Sequence, residues 1–202
     1  MKGERAAPPP ADGRLLRSER SRQRIADALY ALIGAGDLEP SAQKVADRAE
    51  VGIRTVFRLF ADMDALYATI DERLVAEVGP AVASRPPPAA VLRERIDRLV
   101  AERAALYERV GAYLRATLRH RSRSEFLSAK YRSLIRRLRT QQARWLPELR
   151  AAPADLVEAL DQATSFEAWD RLRGDQRLSR PRARAAMQRA ARALVEPLEE
   201  RP

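Results

Sequence analysis

A chain of 202 residues with 38 Lys and Arg against 28 Asp and Glu, net charge +10, is long enough for a small module joined to a larger helical body. It has no Cys and a single His, His120, in the basic run RHRSRS, which excludes disulfides, thiolate metal sites, cysteine nucleophiles and multi-histidine metal centres. With no Gly-rich phosphate loop and no partner set for that one His, the residues hold no catalytic or metal-binding constellation and imply no cofactor, so enzymatic chemistry is not expected. No apolar run approaches the roughly 18 to 20 residues that span a bilayer, and the opening MKGERAAPPPADGR lacks the apolar core of a signal peptide. A cytoplasmic protein without a membrane partner is expected.

Aliphatic residues and Ala are plentiful, aromatics few and Gly sparse, which predicts an all-α fold. Residues 1–17, with their Pro-Pro-Pro run and no periodicity, read as a disordered arm. Arg14, Arg17, Arg20, Arg22 and Arg24 follow at its end, either lying along phosphates or forming a solvated tail. From Ser18 the apolar positions Ile25, Leu29, Leu32 and Ile33 form a helical stripe that Gly34 and Gly36 end. Ser41 then caps a short second helix through Val45, Ala46 and Ala49. After Glu50-Val51-Gly52, Ile53 to Leu59 makes about two turns of a third helix. Two such short helices are unstable alone and need the first to hold them, which is a helix-turn-helix with Val45, Ala46, Ala49, Val51, Val56, Leu59 and Phe60 inward.

Asp62 caps a fourth helix through Leu66, Ile70, Leu74 and Val78, ending near Gly79-Pro80. Leu92 to Leu118 traces one or two helices with Gly111 as a bend point, and Phe126 to Trp145 another, stopped by Pro147. Asp155 to Leu172 reads as one further helix, and a last one carries Met187, Ala190, Ala191, Leu194, Val195 and Leu198. The count is about nine.

Residues 20–75 resemble the DNA-binding domain of the TetR (tetracycline-repressor) family of transcription regulators. The resemblance is carried by Ser41, Val45-Ala46, Ala49-Glu50-Val51, Thr55-Val56-Phe57-Arg58-Leu59-Phe60 and Asp64-Ala65-Leu66 at fixed offsets. It implies an N-terminal helix-turn-helix DNA-binding domain at 18–61 and a helical ligand-binding and dimerisation domain at 62–202. The family's last two helices pair across a two-fold axis, here about 154–198, giving a homodimer. The partners implied are double-stranded DNA, read as a palindromic operator, and a small-molecule effector whose site the sequence does not identify.

The residues support that reading on their own. In a helix opening at Gly52, Ile53, Arg54, Thr55, Phe57 and Arg58 lie off the face set by Val56, Leu59 and Phe60. Arg54 suits guanine O6 and N7, and Ile53 a thymine methyl. Thr55, Phe57 and Arg58 would stand by phosphates, with Ser41 and Gln43 there or near a base edge. Phe57 departs from the family's aromatic hydroxyl and Met63 from its phosphate-binding Lys. Glu50 stands in place of the turn Gly, which predicts a left-handed non-glycine residue at a cost of about 1 kcal/mol. Gly52 replaces a capping Ser or Thr at a cost of a few tenths of a kcal/mol.

The charge excess lies largely elsewhere: basic against acidic residues number 11 to 8 over 1–60, 7 to 9 over 61–114, 11 to 2 over 115–150, 0 to 5 over 151–170 and 9 to 4 over 171–202. Three readings of 115–150 stand. It is a solvated helix face, or a surface for a ligand or nucleic acid, or a segment that closes on the acidic 151–170 stretch. The second would make the chain a sequence-neutral nucleic-acid-binding or interaction protein. The stripes at 92–118 and 126–146 would wall an effector cavity if the resemblance holds, with Tyr107, Tyr113, Tyr131 and Trp145 needing partners for their polar tips if buried.

Overall fold

The computed structural model describes residues 11–87 and 90–199. Among them are nine α-helices and no strand: α1 Ala11–Gly34, α2 Ala42–Arg48, α3 Ile53–Leu59, α4 Met63–Ala83, α5 Leu92–His120, α6 Glu125–Trp145, α7 Ala154–Ala163, α8 Phe166–Asp170 and α9 Arg180–Glu199. The all-α expectation and its helix count hold. The chain divides into two compact units, Met1–Glu72 and Arg73–Pro202. The division falls inside α4, whereas the sequence suggested 61/62, where α4 begins.

In the N-terminal unit, Ile25, Leu29 and Ile33 of α1 are at most 1% exposed and form the floor on which α2 and α3 pack. The first helix starts at Ala11, inside the stretch expected to be an arm; residues 1–10 of that arm lie outside the described residues. Gly36, with φ +98°, ends it: its N–H bonds Ile33 O at 2.9 Å and the Asp37 N–H reaches Leu32 O at 3.1 Å. That Schellman pair needs a left-handed residue, which glycine supplies without a Cβ clash. The same motif recurs between α2 and α3, where the Glu50 N–H bonds Asp47 O at 3.1 Å and the Val51 N–H bonds Ala46 O at 3.0 Å. Here the left-handed residue is Glu50, at φ 52°, as the missing turn glycine predicted. Val45, Ala46, Ala49, Val56 and Phe60 are buried as expected, while Val51 and Leu59 are half-buried.

Asp62 caps α4 by accepting from the Ala65 N–H at 2.8 Å. The helix was expected to stop at Gly79-Pro80 and instead runs through Pro80 to Ala83. Proline removes one internal hydrogen bond, but buried Val78 and Val82 bracket it and hold the last turn to the rest of the C-terminal unit.

Within the C-terminal unit, α5 is one unbroken helix rather than two. Gly111 is buried in it, and a Cβ there would lie 3.6 Å from Phe166 Cε2, so the glycine lets the Phe166 ring lie against the helix instead of bending it. Ser124 caps α6, accepting from the Leu127 N–H at 3.0 Å, and a 3-10 turn at Pro147–Ala151 follows it. The span 155–172 is not a single helix. Thr164 and Ser165 break it into α7 and α8, with Ser165 capping α8 by accepting from the Ala168 N–H at 3.1 Å, and a π-helical turn at Arg171–Asp175 completes it. In α9, Ala183, Met187, Ala191, Val195 and Leu198 are buried, whereas Ala190, expected on the packed face, is exposed.

Candidate nucleic-acid interface

Helix α3 is only seven residues long, so its direction is set by what grips its ends. At its start, Gly52 in extended conformation provides the backbone cap, the Thr55 N–H bonding Gly52 O at 2.8 Å, with no side-chain oxygen to help. A Cβ at Gly52 would meet nothing within 4 Å, so nothing in the fold demands glycine there. At its end, Arg22 of α1 donates from Nη2 to Leu59 O at 2.9 Å, and its guanidinium lies 4.8 Å from the Phe60 ring centroid. A cation at the negative end of a helix, stacked on an aromatic face, fixes that end. The turn before α3 is held likewise: Arg24 Nη2 lies 3.2 Å from Glu50 Oε2 and 3.4 Å from Glu50 O. Both arginines stand in the sequence among those offered to phosphates, and both are engaged inside the unit. Their spacing on α1 carries no sign of that, since Leu59 and Glu50 are distant in sequence.

With its ends fixed, α3 turns Arg54, Phe57 and Arg58 outward. Phe57 is 62% exposed, unusual for a large aromatic. Neither Arg54 nor Arg58 has a side-chain partner among the described residues. Ile53 and Thr55 are half-buried, so the apolar contact expected of Ile53 has less surface than Phe57 offers. Gly52 is exposed at the helix start. Ser41 and Gln43 are exposed at the start of α2, but each already has an intramolecular role: Ser41 Oγ accepts from the Lys44 N–H at 3.3 Å, and Gln43 Nε2 donates to Asp47 Oδ1 at 2.7 Å. Lys44 is paired too, its Nζ 2.8 Å from Asp37 Oδ2, a contact that holds the Asp37 carboxyl below its ordinary value. Arg48, in the last turn of α2, is a further exposed cation that the sequence reading passed over, because nothing but its charge marks it.

The C-terminal unit uses its polar groups differently. Of the residues expected to need partners, Tyr107 donates to Thr164 O at 3.0 Å, Tyr131 to Glu167 Oε1 at 2.7 Å and the Trp145 indole to Ser84 O at 3.0 Å. Burial pushes the Tyr107 hydroxyl up to about 12, and burial with the Glu167 bond raises that of Tyr131 as well. The basic 115–150 segment closes in large part on the acidic stretch that follows it. Arg115 pairs with Asp170 at 2.9 Å, and Arg139 with Glu158 at 2.6 Å and Asp161 at 3.3 Å. Arg144 donates to the carbonyls of Val82, Ala83 and Ser84, and Arg132 to Glu125. Arg123, Arg136, Arg137 and Arg150 remain exposed without a side-chain partner among the described residues. His120 is half-buried rather than fully exposed. Among the described residues no His, Asp and Glu cluster could hold a metal, and no helix is long and apolar enough to cross a membrane.

No family model matches the sequence, and no curated protein matches it. Among solved structures, a chain from Mesorhizobium loti MAFF303099, assigned to the TetR family of transcriptional regulators, matches with a TM-score of 0.58 at 15% identity, over 89% of this chain and 97% of that one. The chain thus has the fold of a TetR-family transcriptional regulator, on a sequence that has diverged far from that neighbour's.

Proposed function

We propose that this protein is a TetR-family transcriptional regulator, a repressor that binds a palindromic operator as a homodimer and answers to a small-molecule effector. The observation that carries the reading is the outward face of α3, where Arg54, Phe57 and Arg58 stand free while the helix ends are clamped by Arg22 and by the Arg24–Glu50 contact. A rigid short helix presenting unpaired guanidinium groups suits the major groove: Arg54 reads a guanine edge, and Arg58 meets a phosphate. Thr55, Ser41, Gln43 and the Gly52 and Ile53 helix start complete the contact surface, and Phe57 packs against sugar or a thymine methyl.

One seven-residue helix spans too few base pairs to specify a site, and a two-fold dimer doubles the reading. Helix α9 supports such pairing. Its first thirteen residues, Arg180–Arg192, hold five arginines and no acid, and Glu196 and Glu199 follow. Ala185, Arg189, Ala193 and Glu196 share an exposed stripe. Two copies packed antiparallel through that stripe set the basic half of each against the acidic end of the other, with alanines allowing close approach. An effector that favours one spacing of the two recognition helices would release DNA by shifting the population. Cytoplasmic residence follows from this function.

The test is titration of DNA from the gene's own upstream region with the purified protein, against an excess of random-sequence DNA. Arg54→Ala is expected to abolish the preferred site while the helical signal and melting temperature stay put. Arg58→Ala is expected to weaken all sequences alike and to lower the salt slope of log K by about 0.9. Salt-sensitive binding without a preferred site, lost on changing Arg136 and Arg137 rather than Arg54, would replace this reading with sequence-neutral binding through 115–150.

A further inference from the structure

The guanidinium of Arg103 is 1% exposed in the middle of α5 and has no carboxylate within hydrogen-bond reach. It donates instead to neutral acceptors: the Thr164 hydroxyl and, at 3.4 Å, the Thr164 carbonyl at the α7–α8 break, Leu138 O of α6 at 2.7 Å, and Gln141 Oε1 at 3.4 Å. Burial pushes its pKa down, and an apolar side chain would fill such a site at lower desolvation cost. What the guanidinium supplies is geometry: a planar fork of donors that ties three chain segments together.

Gln141 carries the connection onward. Arg103 can only donate, so the Gln141 oxygen must face it, and its amide N–H groups are thereby turned toward α4. There Nε2 donates to Ala81 O at 2.6 Å and to Ser84 Oγ at 2.9 Å. Ser84 Oγ also lies 2.6 Å from Glu102 Oε2, on the residue next to Arg103. At the other end, Thr164 Oγ1 donates to Leu160 O at 2.8 Å and so faces Arg103 as an acceptor. Every group between the end of α7 and the end of α4 therefore has one satisfying proton arrangement, and a change at one end cannot be absorbed by flipping a group in between.

We propose that Arg103 and Gln141 are positioning residues that make the last turn of α4 answer to the state of the α7–α8 break. Helix α4 is also the chain's passage into the N-terminal unit, so on the regulator reading above this is a route by which effector occupancy in the C-terminal unit reaches the DNA-binding helices.

The test is amide hydrogen exchange on the full-length protein, peptide by peptide, for wild type, Thr164→Val, Thr164→Ser and Gln141→Leu. Thr164 has no hydrogen bond to α4, yet Thr164→Val is expected to speed exchange over residues 81–86 by about fivefold, the size of one lost buried hydrogen bond. Thr164→Ser, which keeps the hydroxyl, should restore the wild-type rate. Gln141→Leu should speed exchange over 81–86 equally, and adding Thr164→Val to it should change that segment no further. Thr164→Val effects confined to 154–170, or additive effects in the double variant, would overturn the relay. The readout needs no DNA, so a protein that bound no preferred site would sink the regulator reading and leave the relay to be judged by its exchange pattern.

Discussion

The arginines of α3 and those of α5 and α6 are the same side chain put to opposite uses. Arg54 and Arg58 sit on a short helix, outward and unpaired, in a stretch where basic residues barely outnumber acidic ones. Arg95, Arg103, Arg115, Arg139 and Arg144 belong to segments tied together by their own side chains: Arg95 holds Trp145 O at 2.8 Å and Glu148, Arg144 caps the end of α4, and Arg139 bridges to α7. Charge density along the chain therefore points away from the surface most ready to meet an anion. A guanidinium that already has carbonyl or carboxylate partners must lose them to bind phosphate, and one without partners need lose only water.

The largest effect expected from that contrast is at Arg103. Arg103→Ala strips several buried acceptors of their donor and leaves a void, and should lower unfolding free energy by roughly 3–5 kcal/mol in urea titration. Arg54→Ala should stay within about 0.5 kcal/mol of wild type. If the two cost the same, the division of labour is wrong. A step down in size, Arg22→Ala should cost about 1–2 kcal/mol through the lost bond to Leu59 O and the lost stacking on Phe60, and should weaken DNA binding indirectly. A small rather than a large loss at Arg22 would mean that it belongs with Arg17 and Arg20, which are exposed on the same helix.

Acid should unravel the C-terminal pairing. Glu108, held by Arg173 and Arg180, and Glu148, held by Arg95, both have carboxyls below their ordinary value of 4.5, since those bonds outweigh burial, which pushes the other way. Groups with depressed folded values stabilise above 4.5 and lose that contribution as pH falls through the folded value, so urea midpoints should be flat from neutrality to about pH 5 and drop below 4.5. Glu108→Gln should flatten part of that drop. The smallest effect is a gain: Gly52→Ser adds a hydroxyl cap in open space at an extended residue and should raise stability by a few tenths of a kcal/mol. It leaves Arg54 in place, so DNA preference should not change.

Much of the N-terminal unit was legible in the sequence because its signals are local. Ser41 as a cap, Glu50 in the left-handed region and Ile53–Leu59 as a two-turn helix follow from residues within four positions of each other. The outward set on α3 was legible for the same reason, as a remainder once Val56 and Phe60 are placed inward, although Ile53 proved more buried than that subtraction allowed. The C-terminal unit was legible as helices but not in its joints. The break at Thr164 looks like a helix interior until Ser165 is seen to cap α8, and the continuation of α4 through Pro80 depends on side chains of α6 that lie some sixty residues downstream.

By itself, then, the sequence determined the class, the helix count, the helix-turn-helix and the strained turn within it, since propensity, capping and apolar period act over a turn or two of chain. Only the tertiary structure decided which arginines are free. A guanidinium reaches its partner at the end of a long flexible stem, so whether it finds a carbonyl of a distant helix or stays in water depends on which segments packing brings within that reach.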